Sequence, residues 1–324
     1  MSLLVTGGSG HVGYATARAA AKAGHDVLAL VRSADRIDQE AAKLAGARTK
    51  WVVCDLADPF QIAAVAAEHA VDGCIHTAAV PNDRLARPNP WAAMQTNIGA
   101  TGALLEIARR QNWRRFVYVS TGSVFQTEED FTKPIHEDHV TSARSVYGAT
   151  KRAGELLTRM YRNDYGLQAS SIRISFVYGP PLVPRYRDLP RGPIVAFLRE
   201  AVLGQEIREP SGGDFQASFT YIDDVADGLV AAYEASCLNH DAYHLGNGRN
   251  WTAFEVAKAI TAAVPGAVVE IGPGTEPWTT YNTMRGPLAG SKFENDTGFT
   301  ASYPLHRGVD AFAGWMRQRP ERLQ

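Results

Sequence analysis

Short apolar runs alternate with helix-period stretches through the first half of the chain, the pattern of parallel βαβ units. Leu3 to Thr6, Asp26 to Val31, Trp51 to Cys54, Gly73 to His76, Arg115 to Ser120 and Ala169 to Ile174 read as six strands. Helices are expected at Val12 to Ala23, closed by Gly24, at Pro59 to Glu68, along Pro90 to Gln111, and around Tyr147 on to about Tyr165. Past residue 178 the texture changes. Pro180, Pro181, Pro184, Pro190 and Pro193 share a segment with Arg185, Arg187 and Arg191, and patterning returns only at Tyr221 to Ala235 and Ala242 to Leu245. The pattern predicts an α/β fold, a doubly wound parallel sheet with a smaller interleaved C-terminal substrate lobe. Residues 1–178 are assigned to the sheet unit, with 217–248 returning to it, and 179–216 and 249–324 to the lobe. A ligand is expected between them, beyond the carboxyl ends of the strands.

Composition removes several classes. The 324 residues are 45% hydrophobic and 21% charged, with a formal net charge of −1. That is ordinary for a globular chain and offers no basic run for nucleic acid. No apolar stretch reaches the ~18 residues of a membrane span, and the first residues enter a strand without the pattern of a leader. Cys54, Cys74 and Cys237 are widely spaced, so reduced thiols and a cytoplasmic location are expected. The histidines show no ligand spacing, and no metal is expected.

The chemistry concentrates in four places. Thr6-Gly-Gly-Ser-Gly-His-Val-Gly13 follows the first strand and opens the first helix. It reads as Gly8-x-Gly10-x-x-Gly13 or, in better register, as Gly7-x-x-Gly10-x-x-Gly13. Glycines there let the backbone, with His11 and Val12, approach a pyrophosphate at a helix N-terminus, which makes the fold Rossmann-type. At the end of the second strand a valine stands where an NAD site carries an acid. Arg32 and Ser33 follow and suit a 2′-phosphate, so NADP is preferred and NAD stays open. Asp55, ahead of Leu56, faces the adenine or caps a helix. Tyr147 and Lys151 stand four apart, on one helix face, where the ammonium can stabilise a phenolate for proton transfer at working pH.

Taken together, these strings resemble the extended short-chain dehydrogenase/reductase family, also called the NAD-dependent epimerase/dehydratase family, over essentially the whole length. TGGSGHVG is similar to its dinucleotide loop and CDL to its adenine-contacting acid. IHTAA (Ile75 to Ala79) is similar to the segment that places Thr77, Ala78 and Ala79 along the cofactor. TNIGAT makes Asn97 the implied active-site asparagine. VYVSTGSVF implies a catalytic hydroxyl at Thr121, with Ser123 second. YGATK supplies Tyr147 and Lys151, and RISFVYGP sets Phe176 and Val177 over the nicotinamide. His76, beside small residues on a strand end, reads as packing.

Three departures bear on substrate. Gly122 and Ser123 follow Thr121 where family dehydratases carry an Asp-Glu pair. Phe176 replaces the asparagine common in nucleotide-sugar members, and Ala217 stands at the position of a diphosphate-binding arginine. Arg285 aligns loosely with a second such arginine. The substrate is therefore read as a small polar or sugar-like molecule, with Ser123, Phe176, Arg185 and Arg285 as candidate contacts. Trp91, Tyr186 and Trp278 are further candidates for an apolar pocket. The leading expectation is an NAD(P)-dependent oxidoreductase interconverting alcohol and carbonyl. The alternatives are a sugar epimerase with transient oxidation and, less favoured, a non-catalytic dinucleotide sensor. The resemblance also implies a homodimer through the Tyr147 helix and the helix before the fifth strand, although Ala100, Ala103, Ala108, Leu156 and Leu157 equally suit a core.

Overall fold

The computed structural model describes residues 1–126, 130–181, 192–276, 278 and 284–323. Its centre is a seven-stranded sheet, all parallel, built from β1 (Ser2–Thr6), β2 (Val27–Val31), β3 (Thr49–Val53), β4 (Val71–His76), β5 (Arg115–Thr121), β6 (Ala169–Ile174) and a last strand, Ala242–His244. The spatial order is β3-β2-β1-β4-β5-β6 followed by the last strand. The order reverses between β1 and β4, and the crevice above that switch point is where this topology places ligands. β2 and β5 are buried along their whole length, as parallel strands covered on both faces should be.

The helix His11–Lys22 packs against Ile222–Glu234 on one face, while Ala100–Arg110 and Val146–Tyr165 pack together on the other. The stretch expected as one helix from Pro90 is interrupted by a π-helical turn, Gln95–Gly99, between Pro90–Met94 and Ala100–Arg110. Ala100 and Ala108 lie in the core, whereas Leu156 and Met160 are on the outer surface.

Beyond the sheet, helices Pro193–Val202, Ala253–Ala263 and Leu305–Arg317 pack on one another. Short strand pairs accompany them, Ile207–Glu209 with Val269–Ile271 and Gln216–Ala217 with Trp251–Thr252. Ala217 pairs with Trp251, and Thr220–Tyr221 forms a separate two-stranded parallel pair with Val177–Tyr178. One hydrophobic core runs through both parts, joining Val5, Ile75 and Ile172 to Phe197, Phe215, Val256 and Phe312. Among the described residues no helix is long and apolar enough to cross a membrane.

Candidate active site

β1 ends at Thr6, and the chain enters its first helix through Gly7, whose φ of 68° lies in the left-handed region. A Cβ at Gly13 would overlap the Gly7 carbonyl and stand 2.6 Å from Thr77 Oγ1. Glycine is therefore what lets the helix close onto the strand. Gly10 is the N-cap and brings no side-chain cap, so first-turn N–H groups stay available to an anion. Thr77 Oγ1 donates to Thr6 O at 2.6 Å and Ala78 N to Thr6 Oγ1 at 3.1 Å, binding the loop after β4 to the end of β1. His11 Nε2 lies 2.9 Å from Gly179 O.

A cleft of about 960 Å³ opens from this loop. Gly7, Gly10, His11, Val12, Gly13, Thr77, Ala78 and Ala79 border it at the sheet, and Thr121, Tyr147, Lys151, Phe176, Val177 and Arg285 at its far end. The size suits a dinucleotide and a small substrate together, and the uncapped helix N-terminus over a tight glycine turn fits a pyrophosphate.

At the adenosine end one expected residue lies away from the cleft. Arg32, exposed, borders the cleft, but Ser33 does not. The Ser33 hydroxyl bonds Asp35 and holds that carboxyl below its usual range. The short helical turn Ala34–Arg36 brings Arg36 to the cleft instead. Opposite, Asp55 and Leu56 border the cleft. Asp58 caps the helix Pro59–Glu68, accepting from Phe60 N at 2.9 Å, so the capping role open to Asp55 belongs to its neighbour.

Thr121 ends β5 with its side chain buried, and its Oγ1 accepts from Ser123 N at 3.1 Å. Tyr147 lies in the first turn of Val146–Tyr165, capped by Ser145, and its N–H donates to Asp83 Oδ1 at 3.2 Å. One turn on, the Lys151 ammonium stands 4.0 Å from the Tyr118 ring centroid. Burial lowers its pKa to about 7, opposed by the Glu155 carboxylate. Asn97 does not border the cleft. Buried in the π-helical turn, its Oδ1 accepts from Val80 N at 2.7 Å and its Nδ2 donates to Thr150 Oγ1 at 2.9 Å. It ties the loop after β4 to the Tyr147 helix. A π-turn at such a site is a common device for re-aiming one side chain. His76 is buried between Thr6 Oγ1 (2.7 Å) and Thr101 Oγ1 (3.0 Å), and burial lowers its pKa to about 3.

At the substrate end, Phe176 takes φ 31° and packs edge-on against Phe215 and Phe219. Ser123 and Ser175 border the cleft beside it. Arg285 is buried, and its Nη2 donates to Ser175 Oγ at 2.9 Å. Arg185 and Tyr186 lie outside the described residues. Trp91 is exposed, at 65%, and Trp278 packs on Phe197, so neither borders the cleft. Ser175 and Arg36 were not singled out from sequence. Arg36 had a signal, lying four residues beyond Arg32, and Ser175 lies inside the RISFVYGP string.

Residues 3–246 match the NAD dependent epimerase/dehydratase family. The chain is 30% identical over 256 residues to a UDP-glucuronate 4-epimerase of Thermodesulfobacterium geofontis, covering 76% of this chain and 75% of the relative. The UDP-glucose 4-epimerase of Thermotoga maritima, solved with UDP-glucose, superposes with a TM-score of 0.82 at 21% identity, over 99% of this chain and 100% of that one. The UDP-glucuronic acid 4-epimerase of Bacillus cereus, solved with UDP-glucuronic acid and NAD, gives 0.80 at 21%, over 98% and 99%. These two structures share the fold. The glycine turn, the ordered motifs along the cleft and the match across residues 3–246 lead to one assignment: the chain belongs to the NAD dependent epimerase/dehydratase family and is an NAD(P)-dependent enzyme.

Proposed function

We propose that the protein is an epimerase acting on a sugar or nucleotide sugar, oxidising one carbinol carbon transiently and returning hydride to its other face. The observation that carries this reading is the placing of Thr121, Tyr147 and Lys151 on one end of the cleft that begins at the glycine turn. The 4-epimerase names of the relatives support the direction of the reading. A bound dinucleotide supplies the hydride acceptor and donor. Tyr147 takes the hydroxyl proton as the carbonyl forms and returns it on reduction, so no net proton is released. Thr121 holds the reacting oxygen by its hydroxyl. The Lys151 ammonium stabilises the phenolate and would hold ribose hydroxyls of the bound dinucleotide. At the other end Arg32 and Arg36 favour a 2′-phosphate, hence NADP over NAD.

A second reading, a dehydrogenase with net turnover, is favoured by Phe176 and Ala217. Neither offers the polar contact that nucleotide-sugar members of the resembled family commonly place there. Incubation with UDP-glucuronate, UDP-glucose and free sugar acids, followed by product chromatography and nicotinamide absorbance, separates the two. Epimer formation without net change in absorbance is expected. Stoichiometric reduction of added cofactor without an epimer would overturn the epimerase reading.

A further inference from the structure

Arg285 borders the cleft with its guanidinium packed against the bare backbone of Gly122. A Cβ there would sit 2.6 Å from Arg285 Nη2 and 2.9 Å from Nε, so Gly122 makes room for the guanidinium beside Thr121. The segment carrying Arg285 is firmly held. Asn250 Nδ2 donates to Arg285 O at 2.7 Å, and Ile135 N to Pro287 O at 2.8 Å. Around the guanidinium are the Ser175 hydroxyl and the Phe176 ring, whose centroid is 5.8 Å from Cζ. Among the described residues no carboxylate pairs with Arg285. Burial lowers its pKa to about 10, and the charge interaction with Tyr147 opposes this. A buried cation without a counter-ion is costly, and because Arg285 borders the cleft an entering anion would offset that cost.

The position decides which anion. Gly122 directly follows Thr121, and Arg285 couples by charge to Tyr147, so the guanidinium stands at the reacting end of the cleft. In a pyranose oxidised at C4, a phosphate on C1 lies across the ring, whereas a carboxyl on C5 is adjacent to the reacting carbon. We propose that Arg285, seated over Gly122 and aligned by Ser175, binds a carboxylate adjacent to the reacting carbon, so that the substrate is a sugar acid or its nucleotide conjugate. This rests on the reading of the cleft as a hydride-transfer site.

The test is binding to the cofactor-loaded protein, read by quenching of bound NAD(P)H fluorescence. Its probes are two matched pairs, UDP-glucuronate with UDP-glucose and glucuronate with glucose, together with UDP alone. The acid of at least one pair should bind roughly tenfold to a hundredfold better than its neutral partner. Arg285→Met should abolish that preference while leaving UDP and UDP-glucose affinity within about threefold. Gly122→Ser, which crowds the guanidinium without removing it, should weaken the acids in the same way. Cofactor binding and thermal melting check that each variant folds, and Arg285→Lys, keeping charge without the fork, should restore part of the preference. Equal binding of acid and neutral partners by the wild type would overturn the proposal. So would an Arg285→Met loss shared equally by UDP, which would make the residue a phosphate anchor. The pair that shows the preference distinguishes a free acid from a nucleotide conjugate. Arg285-dependent acid binding with neither epimer nor net cofactor reduction would retain the carboxylate contact and reject the hydride-transfer reading.

Discussion

The Lys151 side chain is 2% exposed, yet among the described residues its ammonium makes no hydrogen bond; its neighbour is the Tyr118 ring. A buried ammonium held this way keeps its donors for whatever enters the cleft. That is why the tyrosine one turn earlier, and not the lysine, is the group expected to move the proton. Tyr147→Phe removes the acid–base atom and keeps the ring. The expected outcome is a fall in kcat of about 10²- to 10⁴-fold, with dinucleotide affinity within about threefold of wild type. Steady-state rates beside a fluorescence titration of NAD(P)H decide it, and full kcat in the variant would refute the proton path. The helical spacing of Tyr147 and Lys151 is local, so the sequence alone could show it. Arg285 is different, because its place beside Thr121 depends on a distant segment and on the missing Cβ of Gly122. Asn97 was legible as a motif member, but its bond to Thr150 depends on a π-turn that leaves no mark in the helical period.

At the scale of elements, cofactor choice lies in the tip of β2 and the short turn after it. β2 ends at Val31, Arg32 borders the cleft, and the turn Ala34–Arg36 brings a second guanidinium beside it. The arginine pair should prefer a 2′-phosphate over a 2′-hydroxyl. Because Arg32 is exposed, solvent screens each contact, and the lower end of the charge-assisted range applies. Arg32→Ala combined with Arg36→Ala should weaken NADPH about tenfold and NADH less than threefold, measured by titration calorimetry at low salt. Equal losses for both cofactors, or tighter wild-type binding of NADH, would remove the role assigned to the pair. The long strands of the sheet were legible because burial on both faces leaves continuous apolar runs. The lobe strands, two or three residues each, carry too little pattern to read, and the bond from the Ser33 hydroxyl to Asp35 depends on a local turn that leaves no mark in the pattern.

For the whole molecule, the buried ionisable groups set how stability depends on pH. Burial lowers His76 to about 3, with the nearby Lys151 charge adding to the effect, and lowers His244 to about 3, with Arg173 adding. In the unfolded chain a histidine titrates near 6.5. Between these values the unfolded chain binds two protons that the folded chain refuses, so stability is fully present above about 6.5 and drains away as pH falls toward 3. Each histidine contributes up to about 1.4 kcal/mol per pH unit in that window. Lys151 acts in the same direction at higher pH. Its folded pKa of about 7 lies below its ordinary value, so stability also rises from about 7 toward 10.5. His244 sits among Arg173, Glu137 and the Ile135 carbonyl, and His76 between two threonine hydroxyls. The Glu137 carboxylate accepts from the His244 backbone N–H and not from its ring, and among the described residues no carboxylate bonds the His76 imidazole. Urea unfolding of the apo protein should therefore lose roughly 2 kcal/mol between pH 6.5 and 5.5, with the midpoint still climbing between pH 7.5 and 8.5. His76→Asn should flatten the acid limb by about half even if it lowers stability overall, because the slope reports proton uptake and not packing. A midpoint that stayed level from pH 7 to 5 would show that burial holds neither imidazole neutral.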